Sequence, residues 1–231
     1  MEKLLENKSE TGERGFEKIS PTAKFVAYER TYTNIPYSKE IAGLTDAKEV
    51  FEKMAGDGKD VEHTISMFEA RFKSVSKILK EKGNKNILEI ATGLSPRSLI
   101  MTEDPDVNYV ATDLPGMLKE VEEIHRRVIK NKNETNIKFK KLDILNNGQL
   151  LDIISSFPDN GEPVAIIIEG LLMYLDREEQ MKVAKNIHEA LLKREGFWIT
   201  TDFMIRGLLS DNEKARKKVL DKIGNTTGRT M

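Results

Sequence analysis

The run Val164-Ala165-Ile166-Ile167-Ile168 constrains this chain most. Five apolar residues in succession, four of them β-branched, leave no face for water. They suit a strand covered on both sides, the situation of a central strand in a parallel sheet. Shorter apolar runs recur along the chain: Ile87-Leu88-Glu89-Ile90-Ala91, Tyr109-Val110-Ala111-Thr112, the alternating Ile137 to Leu142, and Phe197-Trp198-Ile199-Thr200-Thr201. Helical patterns separate them. Pro115 to Lys132 opens with proline near N1 and carries Leu118, Val121, Ile124 and Val128 as a stripe. Asp176 caps another helix, with Glu178 and Glu179 in its first turn and Gly196 after its end. Strands alternating with helices predict a mainly parallel sheet flanked by helices, with right-handed crossovers.

The length of 231 residues corresponds to about one and a half domains, so one α/β domain with an appendage is expected. The expected division is an N-terminal helical lid over 1–62, a core over 63–206 and a helical tail over 207–231. Lys plus Arg (37) nearly balances Asp plus Glu (38), which argues against a nucleic-acid partner. Cysteine is absent, excluding a thiol nucleophile, a disulfide scaffold and a thiolate zinc site. No metal site is expected. No apolar run reaches the length of a membrane span, and the first residues lack a signal-peptide core, so a cytoplasmic protein is expected.

The candidate site gathers at strand ends. The first strand runs into Ala91-Thr92-Gly93-Leu94-Ser95-Pro96-Arg97, a small-residue turn before a helix, the corner where nucleotides bind in such sheets. Gly93 stands alone, without the dinucleotide fingerprint or a P-loop. Asp113 ends the second strand 20 residues later (113 − 93), where a carboxylate accepts from ribose hydroxyls or caps the helix at Pro115. Leu142 and Asp143 end the third strand, placed for an adenine ring and its amino group or for an Asx turn. Glu169 and Gly170 follow the most apolar strand, in the ligand crevice or in a salt bridge. Arg71 falls inside the apolar arc made by Ile65, Phe68, Phe72, Val75, Ile78 and Leu79. A guanidinium there requires an anion or must snorkel out to solvent.

These residues resemble the leucine carboxyl methyltransferase and polyketide O-methyltransferase-like group of class I S-adenosylmethionine enzymes. The resemblance covers about residues 20–206. It rests on Arg71, the turn Gly93 to Arg97, Asp113-Leu114-Pro115, Asp143, and the E-G-x-x-x-Y-L motif from Glu169-Gly170 through Tyr174-Leu175. Ala91 stands where the group has its first glycine, and Ser95 where it usually has aspartate. The resemblance implies a Rossmann-like fold with strand order 3-2-1-4-5 and S-adenosylmethionine or S-adenosylhomocysteine as cofactor. It implies Arg71 on the methionine carboxylate and Gly93 beside the methionine part. It implies Asp113 on the ribose, Leu142 and Asp143 on the adenine, and Glu169 near the sulfonium or ammonium. Arg97 is read as a structural ion-pair residue.

The expected reaction is methyl transfer to a carboxylate or hydroxyl of a small molecule or a protein C-terminus. A carboxylate acceptor needs no base, so alignment and water exclusion suffice. Tyr174 is the candidate substrate contact. His63, His125 and His188 are read as surface residues. Phe25, Tyr28, Tyr32 and Tyr37 are read as a lid or as core packing, and Lys24, Arg30 and Lys39 as a solvated face or as groups convenient for an anionic acceptor. A non-catalytic cofactor-binding module and an NAD-dependent dehydrogenase are the rival readings. No alternating run after Phe203 offers the last two strands of a seven-stranded sheet, so a C-terminally reduced version is expected. Its fifth strand would be an edge, covered by the tail helix or by a second subunit in a homodimer.

Overall fold

A computed structural model describes residues 20–55, 61–129 and 136–202. The first 19 residues of the expected lid and the whole of the expected tail over 207–231 lie outside these residues.

Five strands form one parallel sheet: β1 (Asn86–Ile90), β2 (Asn108–Asp113), β3 (Ile137–Lys141), β4 (Val164–Ile168) and β5 (Gly196–Thr200). Their order is β3-β2-β1-β4-β5, as expected. All four pairings are parallel, with Ile90 beside both Thr112 and Ile168, so the carboxyl ends of β1, β2 and β4 align. The chain runs outward from β1 in one direction, then returns to place β4 on its other side. That reversal opens a crevice at the carboxyl ends of β1 and β4.

Every residue of β4 is buried, because helices cover both faces. On one face, Leu88, Ile90, Ile166 and Ile168 meet α7 (Asn147–Ser155) and α8 (Arg177–Lys193) through Leu150, Ile153, Val183 and Ile187. On the other, Ile87, Tyr109, Ala165 and Ile167 meet Val75 and Leu79 of α4 (Val61–Glu81). Ile78 is a correction: it is exposed on the outer flank of α4, outside the buried arc. α8 opens with a full capping box between Asp176 and Glu179.

Gly196 does not terminate α8; Arg194 caps that helix, and Gly196 begins β5. Glycine is required there by a close approach, since a Cβ would overlap the Val164 carbonyl oxygen. β5 pairs only with β4 among the described residues, yet its side chains are not bare. Trp198 packs with the first cluster, and Phe197 and Ile199 with the second.

Three short helices precede the core: α1 (Ser20–Glu29), α2 (Ser38–Gly43) and α3 (Ala47–Ala55). α1 gives way to a single 3-10 turn over Arg30–Tyr32, well before Pro36. Thr31 and Thr33 hydroxyls donate to the Tyr28 and Arg30 carbonyls there, offering the backbone an alternative to helix. The aromatic face of α1 packs on α3: Phe25 and Tyr28 lie 5.2 and 4.8 Å from the Phe51 ring centroid. Phe25, Tyr28 and Tyr32 thus turn toward α3, whereas Tyr37 packs in the cluster that holds Ala27 and Leu94. The small face of α1 covers the crevice, with Ala27 against Leu94, Leu99 and Val121.

Gly196→Ala should destabilise the protein by about 1–3 kcal/mol, the range for overpacking against fixed backbone. Urea unfolding checks this; an unchanged midpoint would show that β5 tolerates a side chain at its entry.

Candidate active site

β1 ends at Ile90 and the chain reverses at once. Ala91 has φ 55° and Gly93 φ 51°, both left-handed. Glycine enters that region freely, whereas alanine does so at about 1–2 kcal/mol. A Cβ on Gly93 would stand 3.6 Å from the Ala23 side chain of α1. The turn is thus roofed by a helix as well as tightly wound.

Asp113 fixes this turn. Its Oδ2 accepts from the Gly93 N–H at 2.9 Å and its Oδ1 from the Leu114 N–H at 2.8 Å. It does not cap α6 (Pro115–Val128), whose N-cap is Leu114 with no side-chain bond. Each carboxylate oxygen keeps a further acceptor site. Burial pushes the Asp113 pKa up to about 6, against the pull of its two backbone donors. The Leu142 N–H donates to the Asp113 carbonyl at 3.1 Å, so the ends of β2 and β3 are contiguous. Leu142 is buried in the core, and Asp143 closes an Asx turn onto the Leu145 N–H at 3.0 Å.

Beneath the turn lies a buried ionic network. Arg97, on α5 (Arg97–Met101), is 1% exposed. It donates to Glu89 Oε1 at 2.6 Å and to Glu169 Oε2 at 2.8 Å, and its guanidinium lies 4.4 Å from the Phe72 ring centroid. Glu89 Oε2 accepts from the Tyr109 hydroxyl and from Thr92, both at 2.7 Å. Burial works against the Arg97 charge, but Glu169 and Glu89 outweigh it and raise the pKa. Burial likewise opposes ionisation of Glu169, yet Arg97, then Arg30 and Arg71, hold its pKa below the usual value. Arg97 is therefore the structural ion-pair residue that the sequence suggested, and Glu169 is its partner at the crevice.

Arg71 has an anion within the chain. Its Nη2 lies 3.2 Å from Asp202 Oδ1, and its Nε donates to the Thr201 hydroxyl at 2.9 Å. Asp202 also accepts from the Gly170, Leu171 and Leu172 N–H groups at 2.6, 2.8 and 2.9 Å. Gly170 has φ 80°, which suits glycine. Arg71 and Asp202 together clamp the loop after β4. Tyr174 of that loop is buried and hydrogen-bonds Thr22, tying the loop to α1.

Two further residues depart from expectation. Arg30 is not on a solvated face: it is 9% exposed and donates to the Leu94 carbonyl at 3.3 Å. His125 is buried, not on the surface, because it lies four residues after Val121 on the inner stripe of α6. Its Nδ1–H donates to the Val121 carbonyl at 2.8 Å, leaving Nε2 to accept from Ser98 at 2.7 Å. Burial lowers its pKa, which fits the neutral ring. His188 is exposed.

Sequence reasoning passed over Glu89, Asp202 and Glu29. Glu29 is fully buried at the end of α1, bonded to the Thr64 hydroxyl, with Oε2 unpartnered. Burial raises its pKa to about 7. Among the described residues, no group of three His, Asp or Glu could hold a metal ion, and no helix is long and apolar enough to cross a membrane.

No protein-family model and no curated protein matches the chain. Solved structures do. A DUF574 family protein from Streptomyces avermitilis is 16% identical, with TM-score 0.59 over 91% of this chain and 77% of that one. A candidate methyltransferase from Thermobifida fusca is 18% identical, with TM-score 0.56 over 89% and 72%. An O-methyltransferase family protein from Burkholderia thailandensis is 12% identical, with TM-score 0.50 over 94% and 68%. The fold is accordingly the Rossmann-like one found in these structures.

A Glu29 carboxyl with a folded pKa near 7 is ionised at a cost at pH 8 and protonated at pH 5. Glu29→Gln should therefore raise stability at pH 8, by on the order of 1–3 kcal/mol, and change it little at pH 5. Thermal unfolding at the two pH values checks this; an equal shift at both would contradict a raised pKa.

Proposed function

We propose that the protein is an S-adenosylmethionine-dependent methyltransferase acting on an oxygen of its acceptor, a carboxylate or hydroxyl of a small molecule or a protein C-terminus. One observation carries this reading. Gly93, Asp113 and Glu169 lie at the carboxyl ends of β1, β2 and β4, with Asp113 bonded to the glycine turn and Glu169 paired with Arg97. The likeness of fold to an O-methyltransferase family protein supports it.

The residues fit such a cofactor. Asp113 retains acceptor sites for two hydroxyls beyond its backbone donors. Glu89, Arg97 and Glu169 sum to a charge of −1, the sign that suits a sulfonium or ammonium. Left-handed Gly93 and Ala91 leave the turn narrow. Leu142 and Asp143 are assigned to the adenine side. When bound, the cofactor supplies an electrophilic methyl group on sulfur. The chain's task is then to align the acceptor oxygen, exclude water with α1, and hold Glu169 ionised. Arg71 keeps the loop bearing Glu169 and Gly170 in place through Asp202. Tyr174 holds the same loop against α1.

Calorimetry with S-adenosylhomocysteine tests the reading. Asp113→Asn should weaken binding by about 1–3 kcal/mol, the cost of mispaired buried hydrogen bonds. Asp113 accepts from both hydroxyls only when ionised, so affinity in the parent should fall as pH drops through about 6. The variant should lack that dependence. Equal affinity in parent and variant at pH 7.5 would remove Asp113 from the site. Release of S-adenosylhomocysteine from S-adenosylmethionine, in the presence of small acids and alcohols, reads the transfer itself.

A further inference from the structure

β3 and β5 stand at the two ends of the strand order, and they are built differently. β3 carries Lys138, Lys140 and Lys141, with Lys138 and Lys141 exposed. Charges of this kind keep a further strand away from an edge. β5 reads Gly196-Phe197-Trp198-Ile199-Thr200, with no charge and no proline. Its two faces are occupied: Trp198 packs with the first core cluster, Ile199 with the second, and Lys82 Nζ lies 5.0 Å from the Phe197 ring centroid. What β5 presents sideways is main chain.

The register says which residues present it. The Val164 N–H donates to the Glu195 carbonyl at 2.9 Å, so Phe197 and Ile199 turn their N–H and C=O groups toward β4. Gly196 and Thr200 turn theirs the other way. The edge stops just past Thr200, whose hydroxyl accepts from the Asp202 N–H at 3.2 Å. The Asp202 carboxylate is held by the loop after β4. A row of outward N–H and C=O groups is satisfied by another strand. The sequence after Phe203 has no alternating apolar run to supply one.

β5 is its own complement. Laid antiparallel on a second copy, with the symmetry axis at mid-strand, Gly196 faces the partner's Thr200 and Thr200 faces the partner's Gly196. Both pairs are of the kind that exchanges two hydrogen bonds. No like charges meet across the strands. We propose that the β5 edge is the interface of a homodimer, joining the sheets of two copies into one continuous sheet about a two-fold axis. The lysines of β3 keep the other edge out of such pairing. The pairing is independent of what the crevice binds.

Amide hydrogen exchange read residue by residue, with light scattering on the same samples, tests this over about a hundredfold range of concentration. The amides of Phe197 and Ile199 should be protected throughout. Those of Gly196 and Thr200 should be protected where the scattering mass is twice that of the chain, and should exchange about tenfold faster or more on dilution to the monomer. Thr200→Pro removes an outward N–H and leaves the bonds to β4 whole, so it should raise the dimer's Kd by about tenfold or more. Thr200→Val loses only the hydroxyl and should stay dimeric. A monomer at every concentration would overturn the proposal. Protected Gly196 and Thr200 amides in that monomer would show an edge covered from within the chain, and fast ones an open edge. A dimer in which those two amides exchange fast, or which Thr200→Pro leaves intact, would place the interface elsewhere. Should Thr200→Pro fail to fold, the exchange comparison on the parent decides alone.

Discussion

The Arg97 guanidinium is the point on which the crevice depends. It joins the interior of β1, through Glu89, to the first residue after β4, through Glu169. An unpaired buried charge is costly, so both carboxylates depend on the guanidinium between them. Together the three groups keep an anion at the edge of the sheet where a cationic ligand would lie. Tyr109 and Thr92 complete the hydrogen bonding of Glu89, so little of its charge is left unmet. Such a network is weak evidence for stability, because well-packed apolar residues often do as well. Its value here is positional: it fixes Glu169 and the start of α5 relative to the glycine turn.

α1 closes this arrangement from above. Its small residues allow close approach, with Ala23 over Gly93 and Ala27 over Leu94. Its bulky aromatics face the other way and hold α3. The end of the helix and the turn after it also bring in polar groups whose atoms are not all satisfied, Glu29 Oε2 and Arg30 Nε. Buried unpaired polar atoms are rare in native structures. This short element is held to the loop after β4 through Thr22 and Tyr174.

Much of the fold was legible because it follows from pattern. The apolar run of β4 announced a doubly covered central strand, and alternating helices fixed the parallel topology. The strand ends then located Gly93, Asp113 and Glu169, since ligands in open parallel sheets lie at those ends. Other residues needed three dimensions. Arg71 visibly required an anion, but Asp202 is 131 residues away and no local pattern links them. The same rule that singled out Asp113 and Glu169, an acid just after a strand, would have found Asp202 after β5. Glu89 could have been flagged as a charge inside a buried strand. Arg30 and His125 looked like surface residues because their neighbours in sequence are charged. Their burial is set by helix phase: Arg30 follows Ala23 by seven residues and Ala27 by three, and His125 follows Val121 by four.

The central claim is that this crevice holds S-adenosylmethionine and its product. Thermal unfolding with S-adenosylhomocysteine or NAD in parallel tests it most directly. A ligand that binds only the folded chain stabilises it by about 2.7 kcal/mol at one hundred times its dissociation constant, which raises the melting temperature by several degrees. The account predicts a concentration-dependent rise with S-adenosylhomocysteine and none with NAD. A rise with NAD alone would assign the crevice to a nicotinamide enzyme and contradict it.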